Sequence, residues 1–202
     1  GASTCGGTCT STANMAELAQ FPGSKAVSLV IGGAGDIFVE TLTSTEAAQF
    51  SAISMSTTAG NITFTSDSST FFNATEMGAI SAAAGTVTGP GVATGDIGIG
   101  NATCSGSCAF SITGAKLQTI TAMSLVVGDT TTGNLYIDGV TATDVANIAN
   151  VTLNATNAGS MVAFMGSGST FQGLTLNSDA GITLNLDLTT TGVTTIDADS
   201  DN

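Results

Sequence analysis

Gly35-Asp36-Ile37-Phe38-Val39 returns 98 residues further on as Gly133-Asn134-Leu135-Tyr136-Ile137. The stretch before it, Ala26-Val27-Ser28-Leu29-Val30-Ile31-Gly32, returns as Ala122-Met123-Ser124-Leu125-Val126-Val127-Gly128. The stretch after it, Phe50-Ser51-Ala52-Ile53-Ser54-Met55, returns as Ile148-Ala149-Asn150-Val151-Thr152-Leu153. The cysteines follow the same rhythm, Cys5-Gly6-Gly7-Thr8-Cys9 matching Cys104-Ser105-Gly106-Ser107-Cys108. Copying on this scale predicts two tandem units, residues 1–103 and 104–202. Arrays of copied units are more often scaffolds or binders than enzymes.

Within each unit, apolar residues alternate over short runs: Val27, Leu29, Ile31; Ile37, Val39; Ile53, Met55; Ile62, Phe64; Val151, Leu153; Leu174, Leu176; Ile182, Leu184, Leu186, Leu188. Period two is the signature of a half-buried strand. Gly, Asn, Asp and Ser punctuate the runs about every ten residues, as turns do. Helical periodicity is nearly absent, with single turns expected only near Met15–Phe21 and Thr143–Ile148. A shorter period lies inside the long one. A frame of Gly, a small polar residue and alternating apolar residues begins at Gly35, Gly60, Gly85, Gly133 and Gly159, at spacings of 25, 25, 48 and 26. Strand-rich repeats of roughly 20–30 residues suit the coils of a β-solenoid. The 48-residue gap reads as two such coils, which puts four coils in each 98-residue unit. The glycines are expected at corners of positive φ. The rival fold is a pair of immunoglobulin-like β-sandwiches, which about eight short strands per unit also suit. Against the sandwich, its tryptophan is missing and the shorter period has no role.

The frames Gly35-Asp36-Ile37-Phe38-Val39, Gly60-Asn61-Ile62-Thr63-Phe64 and Gly133-Asn134-Leu135-Tyr136-Ile137 resemble the repeating steps of filamentous-haemagglutinin-type exoproteins. The stretch from Val151 to Asn202, with Leu174-Thr175-Leu176-Asn177-Ser178-Asp179-Ala180-Gly181-Ile182, is similar to repeats of very large secreted β-strand-repeat proteins. The resemblance covers about residues 25–202. It implies a right-handed parallel β-helix, export from the cell, and an adhesive or fibrous role. The paired cysteines depart from that pattern.

Composition narrows the function. Only 8% of the 202 residues are charged, and Ser and Thr supply 56 of them. The net charge is −13, with two lysines and no arginine. Phosphate neutralisation needs cationic side chains, so nucleic acid is excluded as a partner. Anionic lipid is disfavoured for the same reason, and no apolar run is long enough for a membrane-spanning helix. There is no histidine, the commonest general base and metal ligand. The acids are scattered, Lys25 and Lys116 have no partner motif, and no catalytic constellation emerges. The expectation is a protein that is not an enzyme and needs no cofactor.

Three candidate features remain. Four cysteines in a Thr-rich, weakly charged chain suggest an oxidising, extracellular compartment. Local Cys5–Cys9 and Cys104–Cys108 disulfides, disulfides between the units, and a four-thiolate metal site are the alternatives, local pairing being favoured. Asp197, Asp199 and Asp201 alternate and offer oxygen ligands for a structural Ca²⁺, against the plainer reading of a solvated acidic turn. Asn61, Asn73, Asn101, Asn150 and Asn154 begin Asn-x-Ser/Thr sequons and are glycosylation candidates in a glycosylating pathway.

The sequence therefore predicts a structural segment of an extracellular fibre or surface appendage with an adhesive or scaffolding role. Its partner would be itself, by end-to-end assembly or by continuation into further repeats, with glycans as possible additional ligands. The rivals are a pilin-like subunit assembled by strand donation, and a carbohydrate- or ice-binding solenoid. For the last, the regular Thr-x-Thr that an ice-binding face needs is not sustained along the chain.

Overall fold

The computed structural model describes residues 28–39, 47–48, 50–65, 69–89 and 95–200. Their strands are β1 (Ser28–Gly33), β2 (Ile37–Val39), β3 (Ala52–Thr57), β4 (Ile62–Phe64), β5 (Met77–Thr88), β6 (Ile97–Gly100), β7 (Phe110–Ile112) and β8 (Ile120–Val127). They continue as β9 (Leu135–Asp138), β10 (Ile148–Ala155), β11 (Val162–Phe164), β12 (Ser169–Phe171), β13 (Gly173–Ser178), β14 (Ile182–Leu184), β15 (Leu188–Thr190) and β16 (Thr194–Asp197). Two single-turn helices interrupt them, α1 (Ser69–Phe72) and α2 (Gly114–Leu117). Met15–Phe21 lies outside the described residues, and Thr143–Ala146 forms turns rather than a helix.

Among the described residues every strand pair is parallel, and, β6–β7 aside, partners lie one coil apart. The largest sheet runs β1-β3-β5-β8-β10-β13-β16, with β2 and β4 joined to it through β5. A second sheet runs β14-β11-β9-β6-β7, and a third pairs β12 with β15. Immunoglobulin-like sandwiches are antiparallel, so the rival fold does not describe these residues. The fold is all-β, parallel and solenoid-like.

Alternation becomes columns. Ile37 pairs with Ile62, Ile62 with Val87, Val87 with Leu125, Leu125 with Val151 and Val151 with Leu174, and each of these six is at most 5% exposed. On the second sheet Phe110, Ile97, Leu135 and Val162 form another buried column. One apolar cluster joins the columns from Ile37 to Leu176. The ladder crosses residues 103 and 104 without a break, through the β5–β8 pairing. Burial of apolar area at about 25 cal/mol per Å² is what a single coil lacks and a stack supplies.

The spacing of the coils is uneven, and one expectation fails here. The step from Val87 to Leu125 is 38 residues and that from Ile80 to Ile120 is 40, yet each is a single rung. The long gap is therefore not two coils. Residues 101–119 leave the stack after β6, turn through Cys104–Cys108 and come back as β7 on the side of β6 opposite β9. The excursion covers an edge that β6 would otherwise expose. Phe110 of β7 meets Phe72 of α1 edge-to-face at 5.7 Å, and Phe72 meets Phe64 at 4.9 Å. The Asn73 side chain donates to the Ser111 carbonyl at 2.7 Å, capping the outer edge of β7. Thr113 caps α2 by accepting from the Lys116 N–H at 3.2 Å, and Leu117 seals the return beneath β8.

The glycine expectation is also corrected. Gly60, Gly85 and Gly133 do not have positive φ, although Gly159 does. A Cβ at Gly60 would collide with the Gly35 carbonyl, and one at Gly85 with the Gly60 carbonyl. At Gly133 it would stand 2.7 Å from Asp96 Oδ1. These glycines let one coil's backbone rest on the backbone beneath.

Candidate functional site

The frames that caught the eye in sequence build two polar ladders on the outside of the stack. In the first, the Asn61 backbone N–H donates to Asp36 Oδ1 at 2.7 Å and its Nδ2 to the same oxygen at 3.2 Å. Asn61 Oδ1 then accepts from the Thr86 N–H at 2.9 Å. In the second, the Asn134 N–H and Nδ2 donate to Asp96 Oδ1 at 2.8 and 3.1 Å, and Asn134 Oδ1 accepts from the Met161 N–H at 3.1 Å. Each asparagine donates to the coil below and accepts from the coil above. An aspartate begins each ladder because a residue that only accepts fits that position. Gly95-Asp96-Ile97, the base of the second ladder, was missed by sequence reasoning, although it matches Gly35-Asp36-Ile37 residue for residue. A third run links Asn177 Nδ2 to Asn154 Oδ1 at 2.7 Å and Asn154 Nδ2 to the Gly128 carbonyl at 3.5 Å.

A threonine column occupies the outer face of the largest sheet. Phe38 pairs with Thr63, and Thr88 with Val126. Thr63 pairs with Thr88, Val126 with Thr152, Thr152 with Thr175, and Thr175 with Thr195. Five threonines thus share one line, with Val126 among them. The sequence concealed this because the 38-residue step separates Thr88 from Val126.

The sequons divide by the work their side chains do. Asn61 and Asn154 belong to ladders, Asn73 caps β7, and Asn150 Nδ2 donates to Thr152 Oγ1 at 3.2 Å. Asn101 is exposed at the corner after Gly100, whose φ is 75°. Cys104 and Cys108 form a disulfide with Cα atoms 5.0 Å apart, while Cys5 and Cys9 lie outside the described residues. Asp201 also lies outside them. Asp197 Oδ1 accepts from the Asp199 N–H at 3.3 Å. No group of three or more His, Cys, Asp or Glu side chains suited to a metal comes together among the described residues.

Among the described residues, Asp144, Asp129 and Lys116 have shifted ionisation. Burial pushes Asp144 up, but the Gln118 side chain at 2.8 Å and the Thr141 N–H and hydroxyl, both at 2.8 Å, outweigh it and hold the carboxyl below its ordinary value. Asp129 is likewise held down, against its own burial, by the hydroxyls and backbone N–H groups of Thr131 and Thr132. Burial pushes Lys116 down to about 8. Its ammonium lies 5.1 Å from the centre of the Phe72 ring and donates to the Met77 carbonyl at 3.2 Å. A shallow cavity of about 320 Å³ opens beside the excursion, lined by Ser69, Asn73, Cys108, Ala109, Phe110 and Ser111. None of these described lining residues is ionisable, Cys108 being in the disulfide.

The last coil differs from those beneath it. Leu174 and Leu176 are fully buried, yet the residues stacked on them, Thr194 and Ile196, are exposed, Ile196 by 51%. Leu184, stacked on buried Phe164, is 47% exposed. Val193 and Leu186 add to this apolar end. β14, β15 and β16 each have one strand partner among the described residues.

Comparison of the chain with protein-family models, curated proteins and solved structures gives no match. No helix among the described residues is long and apolar enough to cross a membrane.

Proposed function

We propose that this chain is a structural segment of an extracellular fibre or surface appendage, adhesive or scaffolding in role and without catalytic activity. In this reading it is a right-handed parallel β-helix assembled from two tandem units of about 98 residues. The observation that carries the reading is the single ladder of parallel strands with one continuous apolar interior, whose last coil repeats the inward pattern with nothing stacked upon it among the described residues. Such a coil is completed by another coil, from the same chain or from a second molecule. The disulfide of the excursion fits an oxidising compartment. Asn101 is the sequon best placed to carry a glycan without breaking a ladder. The test is antibody labelling of native material in negative-stain electron microscopy. Label along surface fibres supports the reading, and label confined to soluble intracellular monomers sinks it.

A second reading draws on the threonine column. Thr63 and Thr88, and then Thr152, Thr175 and Thr195, present hydroxyl and methyl groups at the spacing of adjacent strands, about 4.8 Å, with Val126 between the two runs. That regularity favours a face for an ordered lattice such as ice over a sugar, for which stacking aromatics are lacking. Inhibition of ice recrystallisation, lost in Thr152→Lys, would support it. Equal growth of ice with and without the protein would remove it.

A further inference from the structure

We propose that the Cys104–Cys108 disulfide is a thiol-exchange site, with Cys108 Sγ as the sulfur that a low-molecular-weight thiol attacks. The two sulfurs are placed differently. Cys104 is 7% exposed, whereas Cys108 is half-buried and lines the cavity of about 320 Å³ beside the excursion. That volume lies at the lower end of the range for small-molecule sites. The other lining residues, Ser69, Asn73, Ala109, Phe110 and Ser111, are uncharged, so a neutral thiol meets no fixed charge there.

Cys108 is held in place from two sides. A Cβ at Gly98 would stand 2.8 Å from its Sγ, so a glycine in β6 lets the sulfur lie against the strand. The residues after Cys108 anchor it. The Ala109 N–H donates to the Asp96 carbonyl at 2.9 Å, and Phe110 and Ile112 are buried in the core cluster. β7 pairs with β6 from Ile97↔Phe110 to Ile99↔Ile112. Cys104 is tied to this frame by the disulfide, at a sequence separation of four. So short a loop is the small end of the chain entropy that a disulfide removes. The large sheet passes from β5 to β8 without using the excursion. Opening the bond therefore leaves the stack and β7 in place.

Exchange depends on the attacking thiolate and on access to the sulfur attacked. Access favours Cys108. A thiolate R–S⁻ entering the cavity forms an S–S bond to Cys108 Sγ as the Cys104–Cys108 bond breaks. The bonding pair leaves on Cys104 Sγ, which takes a proton from the solvent. The incoming sulfur is oxidised to the disulfide level as Cys104 is reduced to a thiol, so the thiol is the one co-reactant. Cys104 stays within reach. It reverses the step by attacking Cys108 Sγ and expelling R–S⁻. The product is a chain that carries a small thiol at Cys108 in a reversible bond.

The test is incubation of the folded, full 202-residue chain with 2-mercaptoethanol, trapping with N-ethylmaleimide, and mass mapping of each cysteine. Circular dichroism is the folding control. In the earliest products the mercaptoethanol should sit on Cys108 and the maleimide on Cys104, with a preference of about tenfold. Cys104→Ser leaves a thiol at 108 and Cys108→Ser leaves one at 104. The first variant should react with N-ethylmaleimide about tenfold faster than the second. A folded protein bearing one surface cysteine is too large for the cavity and should form its adduct at least about tenfold more slowly than mercaptoethanol. Adducts shared equally by the two sulfurs, adducts on Cys104, or no adduct until urea unfolds the chain overturn the proposal. So does equal speed for the small and the protein thiol. A circular-dichroism spectrum that collapses as the adduct forms also overturns it, since the bond would then be holding the stack.

Discussion

β13 and β16 are neighbours with the same alternation, Leu174-Thr175-Leu176-Asn177 beneath Thr194-Thr195-Ile196-Asp197. In β13 the inward side chains are fully buried. In β16, Ile196 is half exposed. The strands differ in what lies above them. Inward orientation is thus a property of the strand, whereas burial is a property of the stack. A coil here gains its stability from its neighbours, as expected of a quasi-one-dimensional protein.

The sharpest way to break this contrast is to truncate both positions. Leu176→Ala should lower unfolding free energy by about 3 kcal/mol, through lost transfer and a cavity. Ile196→Ala should cost about 0.5 kcal/mol in the monomer, since half its surface already meets water. Urea denaturation of the two variants measures this, and equal losses would show that something already covers the last coil. A second comparison uses glycines. Gly85→Ala forces a methyl onto the Gly60 carbonyl and should cost about 2 kcal/mol. Gly33→Ala meets nothing within 4 Å and should change the thermal midpoint little.

Lys116 extends the contrast to electrostatics. The lysine is charged at lower cost in the unfolded chain than in its half-buried place on α2. Between its folded pKa of about 8 and its unfolded value of about 10.4, the unfolded state binds more protons. Stability should therefore rise with pH across that window, by about 2 kcal/mol after allowance for partial exposure. Lys116→Met should abolish the rise. Asp144 and Asp129 change stability in the same direction with pH, in a lower window. Their lowered pKa values contribute stability that is present above about pH 4 and lost as pH falls through the folded values. Asp144→Asn should flatten the acid limb of a pH-melting series. A smaller effect than at Leu176 is expected on the second ladder, where Asn134→Ala should cost about 1 kcal/mol by removing the Nδ2 bond to Asp96 and leaving the Met161 N–H without its acceptor, while the backbone N–H at 134 still donates to Asp96. A loss at Asn134 as large as that at Leu176 would mean that the ladders, rather than the apolar columns, hold the coils together.

The columns were legible in sequence because alternation survives any change of coil length. Ile62 and Phe64, or Val151 and Leu153, announce an inward face wherever they occur. The excursion was not legible. Phe110-Ser111-Ile112 alternates like any coil strand, so the 48-residue gap resembled two coils. The signals that separate it are the Cys104–Cys108 pair and the capping threonine before Gly114–Leu117. The glycines misled because one residue type serves two ends. A corner needs positive φ, as at Gly100 and Gly128, whereas Gly60 and Gly85 need only the absence of a Cβ. The exposed end was invisible for a different reason: Ile182, Leu184 and Leu188 have the pattern of core residues, and only the fold shows that no strand rests on them among the described residues.

The excursion has one more consequence. Strand pairing sets the rise at about 4.8 Å per coil, whether that coil takes the 20 residues from Leu174 to Thr194 or the 40 from Ile80 to Ile120. Contour length and reach are thereby uncoupled. Side loops of any size can be hung on such a rod, at the cost of mass but not of pitch, and the marks along its axis stay evenly spaced.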